Sequence, residues 1–187
     1  MQYQIRIADP ARDAKAVAAI YNPYIMETEI TYEYDPVTPR EMRRRMEHTM
    51  EILPWLAVEE NGELAGYAYA SRYHERAAYG WDCEFSVYLK QGKSGHGLGS
   101  ALYERLFAIV EKQNYVNVYS LISLPNESSL RLHEKFGFEE ICVEKQVGFK
   151  HGKWLDLITL RKRLDNSPQP RPVNPDWRGI FETMWKT

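Results

Sequence analysis

Apolar and polar residues alternate with a period of two at several places along the chain, and between those places apolar residues recur at helical spacing. Tyr3-Gln4-Ile5-Arg6-Ile7 alternates like a half-buried strand. Asp9-Pro10 reads as a helix start, with Asp as N-cap and Pro at the first helical position. That helix is expected to run through Val17 and Ile20 toward Asn22-Pro23. Thr38-Pro39-Arg40-Glu41 combines a capping Thr with a Glu three residues on, a capping box that opens a second helix. Trp55-Leu56-Ala57-Val58 and Leu64-Ala65-Gly66-Tyr67 flank Asn61-Gly62, which readily supplies the positive φ angles of a tight hairpin.

Beyond a loop at Ser71–Gly80, Trp81–Leu89 alternates again. Trp81, Cys83, Phe85, Val87 and Leu89 point one way, and Asp82, Glu84, Ser86 and Tyr88 the other. A glycine-rich turn, Gly92–Ser100, leads into a helix of about four turns whose buried stripe is Leu98, Leu102, Leu106, Ile109 and Val110. Val116–Ile122 reads as a strand, Asn126 caps a short helix ending near Phe136-Gly137, and Phe138–Val143 and Trp154–Leu160 complete a sheet, with a turn at His151-Gly152. After Leu164 the prolines at 168, 170, 172 and 175 mark a linker. Trp177, Ile180, Phe181, Met184 and Trp185 then recur at helical spacing. Two tryptophans are costly to leave in water, so this tail is expected to dock its apolar face on the domain or on a second subunit rather than stay mobile. The organisation is a main domain over 1–164 and a linker with a short tail over 165–187.

Composition narrows the class. At 187 residues the chain suits one domain with elements on both sides of a sheet. Hydrophobic residues at 44% and charged residues at 27% exclude disordered and membrane compositions. With 24 basic against 26 acidic side chains, there is no electrostatic reason to expect nucleic acid or an anionic membrane as partner. No apolar run nears the roughly 18 residues of a transmembrane helix. The N-terminus lacks the pattern of a signal peptide. Cys83 and Cys142 make no disulfide framework, which points to a cytoplasmic location. The His and Cys spacings match no ligand set, so no metal is expected.

The chemistry concentrates between Glu84 and His133. A strand feeding a glycine-rich loop and then a helix suits phosphate, because glycines allow close backbone approach and the helix N-terminus carries partial positive charge. Gly95, Gly97 and Gly99 occupy that junction, without the Gly-Lys-Ser/Thr of a Walker A loop or a GxGxxG fingerprint. Ser86-Val87-Tyr88-Leu89 followed by Gly95-His96-Gly97-Leu98-Gly99-Ser100 resembles the acetyl-CoA motif of the GNAT acetyltransferases, whose Arg/Gln-x-x-Gly-x-Gly/Ala turn cradles the CoA pyrophosphate with its amides. Gly97 and Gly99 match the glycine positions. Ser94 stands where Arg or Gln is usual, a departure that backbone contacts are expected to survive.

Ile20–Tyr24, Gly66–Ser71, Glu84–Tyr88, Leu132–Phe138 and Val147–Asp156 resemble, more narrowly, the phosphinothricin and methionine sulfone acetyltransferase branch, over about residues 4–164. The resemblance implies a single-domain α/β (α+β) fold with a central, mixed, mostly antiparallel twisted sheet flanked by helices. It implies acetyl-CoA as co-substrate, a small-molecule amine as acceptor and a homodimer.

Acetyl transfer from a thioester to an amine requires loss of the ammonium proton, polarisation of the carbonyl and stabilisation of the departing thiolate. Glu84 falls where the branch places its general base, on the polar face of its strand, and needs a raised pKa or ordered water to act near neutrality. The resemblance assigns the backbone of Val87, Tyr88 and Leu89 to the acetyl and pantetheine arm. Asn126 serves as helix cap and as a contact to that arm. His133 falls where many GNAT enzymes carry a Tyr that protonates the thiolate, and imidazole titrates in the right range for that role.

In the loop Tyr73–Trp81, Arg76 suits a substrate carboxylate and Tyr79 a wall for the side chain, although ordinary surface charge and packing explain both residues equally well. Phe149–Trp154 is implied to close the pocket across the dimer interface. Two alternatives stand beside this reading: a non-catalytic acyl-CoA-binding module, and an acetyltransferase for a polyamine, an aminoglycoside or a protein N-terminus. Cys83, on the apolar face of its strand, reads as an inert core thiol rather than an acyl carrier.

Overall fold

The computed structural model describes residues 3–185. Strand β1 (Tyr3–Ile7) is followed by helices α1 (Pro10–Glu27) and α2 (Pro39–Thr49), then by the hairpin of β2 (Trp55–Glu60) and β3 (Glu63–Arg72). Next come β4 (Asp82–Leu89), α3 (Leu98–Lys112), β5 (Asn117–Leu124), α4 (Glu127–Lys135), β6 (Glu139–Lys150), β7 (Lys153–Arg163) and α5 (Trp177–Met184). The seven strands form one sheet in the order β1-β2-β3-β4-β5-β7-β6. Every neighbouring pair is antiparallel except β4 with β5.

Alternation along β4 decides what each face of the sheet carries. The Phe85 ring meets Tyr103 and Phe107 of α3, so the odd-numbered residues face that helix. The Tyr88 ring meets Tyr21 and Tyr24 of α1, so the even-numbered residues face the other layer. The α3 stripe is fully shielded, with Leu102, Leu106, Ile109 and Val110 all at 0% exposure. Burial of each such side chain contributes about 1.5–3 kcal/mol. The hairpin turn has the expected form, with Asn61 at φ 52° and Gly62 at φ 81°.

Three elements depart from their sequence reading. Helix α1 does not stop at Asn22-Pro23 but continues through Pro23 to Glu27. Proline removes one helical N–H, and tertiary contacts outweigh that loss. The Asn22 amide donates to the Val37 carbonyl (3.1 Å) and its oxygen accepts from the Val37 N–H (2.8 Å), while Ile25 beyond the proline is buried. At the start of α2, Thr38 accepts from the Glu41 N–H, but the Glu41 carboxylate pairs with Arg44 and Arg45, so only half of the expected capping box forms. Strand β6 runs to Lys150 rather than ending at Val143, and irregularities at Glu140/Cys142 and Glu144/Gly148 break the alternation that would have revealed it.

The C-terminal helix docks on its own domain. Trp177 is 1% exposed, its indole N–H donates to the Met50 carbonyl, and Arg105 of α3 lies over the Trp185 ring. The preceding segment is tied down by main-chain acceptors. Trp81 Nε1 donates to Arg171 O (2.7 Å), Asn114 to Pro172 O (2.9 Å) and Gln113 to Asn174 O (2.9 Å).

Candidate active site

The site begins where two strands part. β4 and β5 pair in parallel over three rungs only, Asp82 with Asn117, Cys83 with Val118 and Glu84 with Tyr119. β5 stays paired with β7 from Asn117 to Leu124, so β4 is the strand that leaves. The hydrogen bonds along β4 show which way its backbone faces. The Trp81 carbonyl accepts from Val116 N–H and the Phe85 carbonyl from Ser120 Oγ–H, whereas Lys90 N–H donates to Ala65 on the β3 side. N–H and C=O of one strand residue point to the same side. The main-chain groups of Val87 therefore point into the split, beyond the last rung. Leu89 faces the same way, but its carbonyl already accepts a 2.6 Å bond from Tyr24 Oη.

The split opens into a cavity of about 500 Å³ that passes through the sheet, since Tyr24 and Ile30 of the α1 layer and Tyr103 and His133 of the α3–α4 layer all line it. At one end sits the glycine turn. Gly95 and Gly97 both have φ 83°, a left-handed conformation, and a Cβ at either would meet open space. Their constraint is thus conformational rather than steric. Gly97 caps α3 without any side-chain hydrogen bond and the first turn of α3 carries no acid, so the positive end of the helix lies bare at the cavity. Ser94, Gly95, Gly97, Gly99 and Ser100 line the cavity. Of the other expected residues in the turn, His96 is exposed and Leu98 belongs to the core. Val87, Tyr88, Leu89 and Asn126 also line the cavity, and the Asn126 side chain accepts from the Ser129 N–H as a helix cap.

Glu84 stands on the last rung before the split, with its side chain on the α1 face beside Ser86 and Tyr88. It does not line the cavity wall itself. Burial pushes its carboxyl up to about 7. His133 lies across the sheet on α4, 2% exposed, with Nδ1 2.7 Å from Ser129 O and Nε2 3.1 Å from Tyr103 Oη. Desolvation lowers its pKa from the ordinary imidazole value. Arg76 and Tyr79 are exposed on the loop before β4, away from the cavity lining. The sequence reading missed Tyr103 and Ser120, which reach the cavity floor from α3 and β5. The available signal was a polar-tipped ring next to Leu102 in an otherwise apolar helix stripe and a Ser inside an apolar strand.

A family model described as a GNAT acetyltransferase domain matches residues 5–159. The chain belongs to the GNAT acetyltransferase family. Among its GNAT relatives, the phosphinothricin N-acetyltransferase of Streptomyces viridochromogenes is 37% identical over 88% of this chain and 90% of that protein. The L-methionine sulfoximine/L-methionine sulfone acetyltransferase of Salmonella typhimurium is 32% identical over 89% and 97%. A crystal structure of a GNAT phosphinothricin acetyltransferase from Sinorhizobium meliloti in complex with acetyl-CoA is similar to this fold, with a TM-score of 0.88 and 32% identity over 94% of this chain and 97% of that one. No helix among the described residues is long and apolar enough to cross a membrane.

Proposed function

We propose that this GNAT chain moves the acetyl group of acetyl-CoA onto the amino group of a small amino-acid-like acceptor of the phosphinothricin, methionine sulfone or methionine sulfoximine type, by direct attack in a ternary complex. One observation carries the reading: a desolvated carboxylate and a buried imidazole occupy opposite faces of a sheet that splits between them. An amine approaching from the α1 face meets Glu84, and a leaving group departing toward α3 and α4 meets the His133 layer. The names and the bound acetyl-CoA of the relatives point the same way.

Acetyl-CoA supplies an activated thioester, and the chain supplies the rest. The amides of the glycine turn and the bare N-terminus of α3 hold the diphosphate. In this reading Val87 N–H donates to the thioester oxygen, and Asn126 flanks the arm. Glu84 takes the amine proton, with a pKa near 7 that keeps it partly ionised and basic enough for the task. Arg76 pairs with the carboxylate of the acceptor. Phe149 and Trp154 are 48% and 58% exposed at the β6–β7 tip, and in our reading they close the acceptor site of a second copy in a homodimer. Both cysteines are unpaired, in keeping with a cytoplasmic enzyme.

The test is calorimetry with acetyl-CoA followed by thiol release against phosphinothricin, methionine sulfone, methionine sulfoximine, free amino acids and spermidine. We expect binding, and turnover with the carboxylate-bearing acceptors. Preference for spermidine would overturn the acceptor class, heat without turnover would leave a binding module, and absence of heat would remove acetyl-CoA altogether.

A further inference from the structure

The floor of the cavity holds a hydroxyl without an assigned role. Tyr103 is 0% exposed to bulk solvent yet lines the cavity, and its Oη lies 3.1 Å from His133 Nε2. On the far side of the ring, Nδ1 faces the Ser129 carbonyl at 2.7 Å. A carbonyl only accepts, so Nδ1 keeps its proton, and the neutral ring presents Nε2 as an acceptor for the Tyr103 hydroxyl. In that state the Tyr103 proton aims at the ring and His133 has none to give. Protonating the ring reverses the polarity: Nε2–H donates to Tyr103 Oη, and the hydroxyl proton turns toward the cavity. With both nitrogens engaged, His133 has no free edge for a sulfur.

We propose that Tyr103 is the catalytic residue that hands a proton to the departing CoA sulfur, and that His133 is the group that positions and resupplies it. The inference rests on acetyl transfer at this cleft. As the C–N bond forms, the C–S bond breaks and its electron pair stays on sulfur. The Tyr103 O–H proton passes to sulfur while the Nε2–H proton passes to Tyr103 Oη. The tyrosine ends unchanged, the imidazolium ends neutral, and solvent recharges the ring; the amine proton has gone to Glu84. The transfer runs downhill, since a free thiol titrates at about 8.5 and burial holds His133 below its ordinary value. Tyr103 alone is too weak an acid, because burial pushes its phenol upward.

Few titratable groups surround the pair. Glu84 of β4 and Tyr69 of β3 act on Tyr103 electrostatically, and the Ser120 hydroxyl of β5 is a hydrogen-bond neighbour of its oxygen. Lys162 of β7 is held by the Phe136 carbonyl at 2.6 Å, and Arg131, Glu134 and Lys135 flank His133 on its own helix.

Tyr103→Phe deletes only the hydroxyl. The expected result is a kcat about tenfold lower with both KM values unchanged, a loss kept small because solvent partly supplies the proton. His133→Gln should fall to the same level, and the double variant no further, because the two residues act in one relay. A readout independent of turnover is the thiol of bound CoA, titrated by the ultraviolet absorbance of its thiolate: its pKa should rise by about one unit in Tyr103→Phe. For the unaltered protein, single-turnover rates in mixed light and heavy water should bend downward, as two protons in flight require. A Tyr103→Phe protein with normal kcat and normal thiol pKa, a hundredfold loss in the double variant, or a linear isotope plot would each overturn the proposal. The thiol titration decides it even if no amine tried is turned over, which separates its failure from failure of the acetyl-transfer reading.

Discussion

Glu84 and His133 sit on opposite faces of one sheet, and burial moves them in opposite directions. The carboxyl is pushed up to about 7 and the imidazole is pushed down, so each is driven toward its uncharged form. Neither shift comes from an opposite charge, unlike Asp13, whose pKa is lowered by Arg6 and Arg12 against the opposing effect of burial. The contrast separates two uses of a charged side chain. The Arg6–Asp13–Glu59 cluster ties β1 to α1 and β2 by fixing its charges in place. The split between β4 and β5 keeps its groups near the point where a proton comes or goes.

Glu84→Gln breaks this contrast most directly. Turnover should fall about 10²-fold or more while acetyl-CoA affinity stays nearly intact, the usual scale for loss of a general base. Because Glu84 must be ionised and the His133 ring charged, wild-type activity should peak between the two titrations and fall on either side, and the variant should lose the acid limb. Steady-state kinetics from pH 5 to 9 checks both, and unchanged turnover in a stable variant would remove Glu84 from the mechanism.

The same substitution has a thermodynamic counterpart. The Glu84 pKa is raised from 4.5 to about 7, so across that window the folded protein holds a proton that the unfolded chain releases. Stability therefore falls as pH rises from 4.5 to 7, by at most about 3 kcal/mol. Glu84→Gln should accordingly be more stable than wild type at pH 8 by about 2 kcal/mol, with the gap closing below pH 4.5. Urea unfolding at the two pH values measures this.

On the opposite face, His133→Ala should lower kcat about tenfold, or ~1.4 kcal/mol in barrier, because solvent partly replaces the proton supply to Tyr103. Normal kinetics across pH would exclude it. The smallest effect belongs to Cys83, one residue before Glu84 but on the α3 face, 0% exposed and with its thiol pushed upward by burial. Cys83→Ala should keep turnover within about twofold, since a neutral buried thiol is a poor nucleophile. A large loss, or an acetylated Cys83 in mass spectrometry, would replace direct attack with a covalent route.

Periodicity made most of the sheet and the cleft strand legible. Trp81–Leu89 alternates cleanly, Asn61-Gly62 forms the hairpin turn, and Gly97 caps α3 as the glycine run implied. The second half of β6 was hidden because bulges interrupt its alternation and most of its residues are exposed at an edge. Pro23 misled because the packing of Tyr21 and Ile25 outweighs the local preference of a proline. In the site, Glu84 could be placed by its strand and motif, but its proton affinity depends on residues distant in sequence. Tyr103 was masked by its own helix, where a tyrosine among leucines counts as one more apolar residue until the fold turns its oxygen toward His133.

The docked C-terminal helix has a practical consequence. Shortening the protein to the span of the family domain would strip Trp177 and Phe181 from the back of α3, take the indole donor away from the Met50 carbonyl and unbind Gln113 and Trp81 from their acceptors in the tail. The exposed greasy scar would favour clumping over a leaner enzyme. Because Trp81 lies three residues ahead of Glu84, the last twenty-odd residues serve as a rear buttress for the strand that carries Glu84.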